Sequence, residues 1–546
     1  MRRVVLTAGI AVAALGVLTG CATSSERGSA TYVGPSIPSP TATASPTAPP
    51  KEQAATVAVP YLPSNYNPYS ASGSGTQTLD ITSVLLPSTF VQQPSGEFEL
   101  NSDLLEKASV KTDHGKQVVE YQIADDAKWS DGTPITADDF TYLWKQVNQQ
   151  HSTILGGYDQ ISDVSQKGSD SKDVKVTFSQ PFAEWQSLFD PLLPAHFLRD
   201  KGWDDGFARG VPVSAGPFTV QSAASSRLVL QRNEDYFGDL AGLEKLVVQP
   251  LPDSAAMSAA VRSGEADLGR LSADDAQPPH SVPNADQVPA TAPMFDQLTA
   301  NTASGPAKTA AVRKAVAYGL DRAALLSATS TVDSKAVAAG NRMLIPGTPG
   351  YQDNSLSYDP NRAKQALLSA GYRPNSSGSM AKGGKPLQLR LVTLQSDSHD
   401  VHVAELVSAQ LRRIGVQVLV SQLPANVLFD AALPHGDFDL ALLGYQTTSQ
   451  PAVDALASYG CSGAGNYSHL CDHATDELMK QAVSAKDPGR AATLLNQADR
   501  RLWDSVPTIP LIQDSYQIVQ AQDLTGVQYN SAADSLLWNA ASWKVK

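Results

Sequence analysis

The apolar positions along this chain change period several times, and each change marks an element. Val118 to Ile123 alternate between apolar and polar, the period of a half-buried strand. Phe140, Leu143, Trp144 and Val147 then recur at helical spacing. Between the two, Asp131-Gly132 is a turn, and Thr136 with Asp139 after it forms a capping box that opens the helix. Val174 to Phe178 predicts another strand, Pro181 to Phe189 a helix, and Val57 to Pro60 a short strand leading into the polar, turn-rich segment Leu62 to Tyr69. The clearest pattern lies between Leu387 and Tyr445. Leu387, Leu389 and Leu391 alternate in a strand running to Leu394. Val403, Leu406, Val407, Leu411 and Ile414 mark one face of a helix, with Gly415 just past its end. Val416 to Val420 and Phe438 to Leu443 are the next strands. Strand, helix and strand at this spacing predict a parallel, right-handed βαβ unit. Ala491, Leu494, Leu495, Ala498 and Leu502 predict a late helix, stopped by Pro507 and Pro510. No internal repeat is visible.

The first 21 residues change the picture from a folded body to an addressed one. Arg2 and Arg3 precede an apolar run from Val4 to Val17, too short to span a membrane, and Leu18-Thr19-Gly20-Cys21 closes it. That closing tetrapeptide is similar to the bacterial lipobox, which makes Cys21 the expected lipidation site. Residues 22–51 are rich in Ser, Thr, Pro and Ala, a composition that suits a flexible tether rather than a core. Anchor and tether predict a body held at the extracytoplasmic face of a cell membrane. The remaining chain is too long for one core. A net charge of −13 argues against nucleic acid as a partner. It also gives no pull toward anionic lipid, so the acyl anchor would carry membrane attachment.

Cys461 and Cys471 are the other two cysteines. In an exported chain a pair this close is most simply a disulfide. Free thiols, or a metal site with His469 and His473, are the alternatives, and the glycines and asparagine between them argue for a loop.

Several motifs then line up in order. Trp129 to Phe140 reads WSDGTPITADDF. Pro194-Ala195-His196 follows, then Ser214 to Phe218 with Gln231 to Phe237, Ser263 to Leu268, Val312 to Arg322, and Tyr358-Asp359-Pro360 to Gly371-Tyr372. Gly436 to Leu440 and Pro507 to Leu511 are later landmarks. Together they resemble the extracellular solute-binding proteins of family 5, the oligopeptide-, dipeptide- and nickel-binding proteins of ABC importers, in an actinobacterial lipoprotein branch. The resemblance implies an α/β, three-domain periplasmic-binding-protein-like fold (class II, cluster C), with two lobes around a ligand cleft. It places a split domain I at 52–90, 213–300 and 512–546, domain II at 91–212 and domain III at 301–511. It implies no catalysis, no cofactor and no resident metal. The partners it implies are a peptide or other small amphipathic solute and ABC permease subunits, for a monomeric binding protein. The cleft residues it implies are Asn65, Tyr66, Asn301, Gly444, Tyr445, Gln446, Thr447 and Thr448. Trp129, Asp131, Arg313 and Asp321-Arg322 are expected to hold turns and helix ends instead.

One departure bears on the ligand. In peptide binders of this family a strand ending Gly-Trp is soon followed by an aspartate that pairs with the peptide ammonium. Here Gly444-Tyr445 continues as Gln446-Thr447-Thr448-Ser449-Gln450-Pro451, with no acid before Asp454. Either Asp454 or another acid substitutes, or the solute is not an ordinary zwitterionic peptide. The branch also contains lipoproteins linked to phosphatidylinositol mannoside and lipoarabinomannan synthesis, which supplies a second expectation. A serine hydrolase is the competing class: Ser379-Met380-Ala381-Lys382 fits S-x-x-K but lies in a Gly/Ser-rich stretch without a matching KTG element. His399 and His402 flank Asp400 at the start of the 403–414 helix and are expected to be solvated.

Overall fold

The structure is a computed structural model that describes residues 53–150, 156–272, 285–329 and 335–546. The leader, Cys21 and the tether at 22–51 lie outside the described residues. Among the described residues no helix is long and apolar enough to cross a membrane.

In chain order the first elements are β1 (Ala54–Val59) and α1 (Thr76–Thr82), then β2 (Leu105–Asp113) and β3 (Lys116–Ile123), then α2 (Ala137–Gln149). β4 (Ile161–Gln166) and β5 (Asp173–Phe178) complete a four-stranded sheet of order β2-β3-β5-β4, which lies wholly within 91–212. α2 starts where expected. Thr136 accepts the Asp138 amide, and the Asp139 carboxylate accepts the Thr136 amide at 2.9 Å. The predicted helix at Pro181 to Phe189 is not formed. Only a short 3-10 turn, Trp185–Ser187, is present. Phe182, Ala183, Leu188 and Phe189 are all buried, so the segment has no polar face to turn outward, and Pro191 follows at once.

The large sheet begins with β6 (Phe218–Ala224), β7 (Arg227–Arg232), β8 (Lys245–Pro250) and β9 (Leu268–Ser272). Next come the long strand β10 (Ala285–Ala300) and helix α3 (Ala310–Gly319). β11 (Gln388–Leu394), α4 (Ser398–Arg412) and β12 (Gln417–Leu423) form the predicted βαβ unit, with β11 and β12 parallel. β13 (Leu440–Gln446) follows, then α5 (Pro451–Tyr459), α6 (His473–Val483), α7 (Pro488–Ser505) and β14 (Thr508–Ala521). Among the described residues these ten strands follow the path β12-β11-β13-β10-β14-β9-β1-β8-β7-β6, and the short strand Val337–Ala338, paired with β14 off that path, makes the sheet eleven-stranded.

β10 and β14 run antiparallel through the middle of that sheet and belong to both halves. Toward one end β10 pairs with β13; toward the other β14 pairs with β9. The register between β10 and β14 is irregular at Thr291/Phe295 and Phe295/Gln297, where one half gives way to the other. Two apolar clusters flank this junction. One joins β1, β8, the four-stranded sheet and the last residues up to Trp543. The other packs α3 and α4 against β10, β11 and β13. A wholly buried ion pair, Arg342 with Asp499 at 2.8 Å, sits in the second half, with the guanidinium 4.1 Å from the Trp503 ring centre.

The family motifs serve this frame. Asp131 accepts the Thr133 amide and meets His196 Nε2 at 2.7 Å, so two motifs far apart in sequence close on one another. Arg313 donates to the carbonyls of Ser505, Val506, Ala307 and Lys308. Asp321 accepts the Ala324 amide at the start of the next helix. Ser379 and Lys382 sit on a small hairpin, with Lys382 Nζ on the Ala370 carbonyl.

Candidate functional site

β13 delivers the chain from the sheet to the turn 446–450, and α5 begins directly after it. The turn is held from several sides. The Thr447 amide and hydroxyl both donate to the Pro293 carbonyl, at 2.8 and 3.0 Å. The Thr448 amide and hydroxyl both donate to Asp454 Oδ2, at 2.8 and 2.9 Å. Gln450 reaches across to the Gly156 carbonyl and the Ser187 hydroxyl. Such a turn presents fixed polar groups rather than a mobile loop.

Two cavities meet at this turn and share Gln92, Thr447, Thr448 and Ser449 as walls. The first, about 340 Å³, is bounded by α1, Ser88 to Gln92, Asp190, Pro293, Gln446 and the segment Asn530 to Trp538. The second, about 510 Å³, is bounded by Glu97, Phe98, Ala183, Glu184, Gln186, Met343 to Ile345 and the N-terminal half of α7. Both volumes suit small-molecule sites. Among the described residues, no Lys, Arg or His lines either cavity, whereas Asp80, Asp190, Asp534, Glu97 and Glu184 do.

Most of these acids already have partners. Asp80 accepts the Ser535 hydroxyl and the Leu536 and Leu537 amides. Asp534 pairs with Arg270. Asp190 accepts the Ser88 hydroxyl, and burial raises it to about 6. Glu184 differs. Its Oε1 accepts the Ala452 amide at 2.7 Å, in the first turn of α5, but its buried Oε2 has no hydrogen-bond partner. Burial, with a smaller push from Asp454, raises Glu184 to about 8, and burial raises Asp454 to about 6. Two carboxyls thus stand behind the turn, Glu184 on an amide at the N-terminus of α5 and Asp454 on the amide and hydroxyl of Thr448.

The expected cleft residues separate into two groups. Gln446, Thr447 and Thr448 line the cavities. Gly444 and Tyr445 precede them on β13 but are not among the lining residues. The Tyr445 ring lies between Phe295 and Tyr459, with its hydroxyl on Ser458. Asn65, Tyr66 and Asn301 are not among the residues that line these two cavities. Asn65 donates to the Asp204 carbonyl and accepts the Asn67 amide. Asn301 holds Gly436 and Phe438 carbonyls and the Ala303 amide. Tyr66 is buried in the first apolar cluster. Cys461 and Cys471 are joined by a disulfide. His399 is partly solvated, and its Nε2 lies 2.9 Å from the buried Asp296.

Sequence reasoning passed over Glu184, because it lies far from the turn it supports. The available signal was a lone acid inside an apolar run, Phe182-Ala183-Glu184-Trp185, where an unpaired charge is costly.

Residues 99–467 match the family described as bacterial extracellular solute-binding proteins, family 5 middle. The oligopeptide-binding protein OppA of Mycobacterium tuberculosis is 27% identical over 494 residues, covering 87% of this chain and 82% of its own. A probable monoacyl phosphatidylinositol tetramannoside-binding protein, LpqW, from the same species is 28% identical over 505 residues, covering 84% and 78%. Among solved structures, the periplasmic EDTA-binding protein EppA superposes with a TM-score of 0.81 at 28% identity, covering 91% of this chain and 97% of that one. The oligopeptide-binding protein AppA of Bacillus subtilis, in complex with a nonapeptide, shares the fold with a TM-score of 0.70 at 22% identity, covering 90% and 99%. With a continuous match over most of the body and the same fold throughout, this chain belongs to the family 5 bacterial extracellular solute-binding proteins.

Proposed function

We infer that this chain is the solute-capturing component of an ABC importer, anchored at the outer face of the membrane through Cys21, and that it hands its solute to a permease. The solute is enclosed against the turn 446–449 and is neutral or cationic, with an unblocked oligopeptide as the leading class. What carries this reading is the charge of the walls. No basic side chain among the described residues lines either cavity, while Glu184 brings a carboxyl oxygen without a partner. An anionic chelate such as EDTA, bound by the relative EppA, has no cation to meet here. An ammonium does, because a charge-assisted contact would satisfy Glu184 and ionise it. The acid missing after Gly444-Tyr445 is thereby replaced from another part of the chain.

A second reading rests on the hydroxyl and amide groups of Gln446, Thr447, Thr448 and Ser449, which also suit sugar hydroxyls, and on the likeness to the tetramannoside-binding relative. Calorimetry separates the two. Peptides with free amines should bind, their N-acetylated forms should bind at least about tenfold more weakly, and mannosides should give no heat. Equal binding of free and acetylated peptides, or tight binding of mannosides alone, would refute the cationic reading.

A further inference from the structure

Among the described residues and outside those that line the cavities, one group of three side chains combines nitrogen and oxygen donors. His399, in the first turn of α4, places Nε2 2.9 Å from Asp296 Oδ2 on β10 and 3.8 Å from Asp514 Oδ1 on β14. One donor atom from each of the three residues lies within 4.8 Å of the others. Asp296 is wholly buried, whereas the His399 and Asp514 side chains remain 23% and 22% exposed. The group therefore has an interior wall and an opening to solvent.

We propose that Asp296, His399 and Asp514 bind a first-row divalent cation of zinc type, and that the ion staples α4 to the two strands shared by both halves of the sheet. An imidazole with two carboxylates suits such an ion. It offers too few oxygens for calcium, which takes six to eight. Water would complete the coordination through the exposed side. Asp400, the residue after His399, also lies close enough to Asp296 and Asp397 to interact with both. Thr393, next to last in β11, shares the face of Leu389 and Leu391 and is wholly buried.

The position gives the ion a role. Asp296 lies between Phe295 and Gln297, where the β10–β14 register shifts. A bond from Asp296 through the ion to Asp514 would brace the two strands at the point where the halves of the sheet meet. This staple is separate from the solute reading above, since none of its three ligands lines either of the two cavities described.

The test uses the full chain, dialysed against a chelator and titrated with zinc by calorimetry, and with cobalt by visible absorption. We expect one ion per chain at this site, a rise in thermal midpoint with zinc, and a cobalt d–d band. Asp514→Asn should weaken zinc binding at least about tenfold and remove the band, because it deletes a ligand while keeping the side chain's shape. His399→Ala should do the same; Asp514→Asn is the milder change and decides the question if His399→Ala does not fold. His473→Ala, beside the disulfide, should leave the band unchanged. No zinc binding by the parent, or equal binding and an unaltered band in Asp514→Asn, overturns the proposal.

Discussion

Replacing Glu184 by Gln isolates the charge of one buried carboxyl while keeping its shape and its bond to Ala452. Burial raises the folded-state value of Glu184 from 4.5 to about 8, with Asp454 adding to the shift and the Ala452 and Val453 amides opposing it. Between these values the folded chain keeps a proton that the unfolded chain has released. The carboxyl's contribution is therefore fully present below about pH 4.5 and is lost as pH rises through 8. At about 1.4 kcal/mol per pH unit the interval corresponds to a loss on the order of 5 kcal/mol, reduced in practice because Asp454 titrates beside it. Gln carries no such dependence. The variant and parent should unfold at similar urea concentrations at pH 4.5, and the variant should be the more stable by several kcal/mol at pH 8. Urea titrations at the two pH values, followed by tryptophan fluorescence, measure the difference. A bound cationic peptide should narrow the gap at pH 8, since it stabilises the ionised parent alone. If the stability difference is the same at pH 4.5 and pH 8, Glu184 does not carry this charge and the argument about the cavity wall fails with it.

Asp499→Asn should cost roughly 3–5 kcal/mol by leaving the Arg342 guanidinium buried without its partner, and the double variant Arg342→Met with Asp499→Leu should recover most of that loss in the same urea assay. Cys461→Ser should lower stability by roughly 3 kcal/mol or less, as expected for a short closed loop, and an unchanged midpoint under oxidising conditions would show the bridge to be inert. Cys21→Ala should move the protein from the membrane fraction to soluble or unprocessed forms; a mature N-terminus mapped beyond Cys21 would contradict lipidation there.

What could be read from the sequence followed distance along the chain. The β11–α4–β12 unit was legible because alternation, helical spacing and Gly415 are local signals, each satisfied within a few residues. The α2 cap was legible for the same reason. The Pro181–Phe189 segment misled because its apolar residues are buried on all sides, so a period carries no information there. Glu184, Arg342 and Asp499 were opaque because each acquires its meaning from a partner more than 100 residues away. Asn65 and Asn301 line neither of the two cavities, and polar side chains in turns bind solutes and shape turns with the same groups. Only the identity of their neighbours distinguishes the two uses.

The placement of β14 has a consequence for how the chain acquires its shape. This strand starts at Thr508, yet it lies between β10 and β9 at the centre of the large sheet. Gln53, near the start of the described body, bonds to Val545, near its end. On a chain made from its N-terminus, the middle of the sheet is thus the last part to arrive. The earlier strands wait with open edges until residues 508–521 have been synthesised, and contacts of such long sequence separation form slowly. Removing the C-terminal 40 residues would leave a gap in the heart of the sheet rather than a frayed end. Arrival of β14, not the folding of any single lobe, is the event that closes the large sheet.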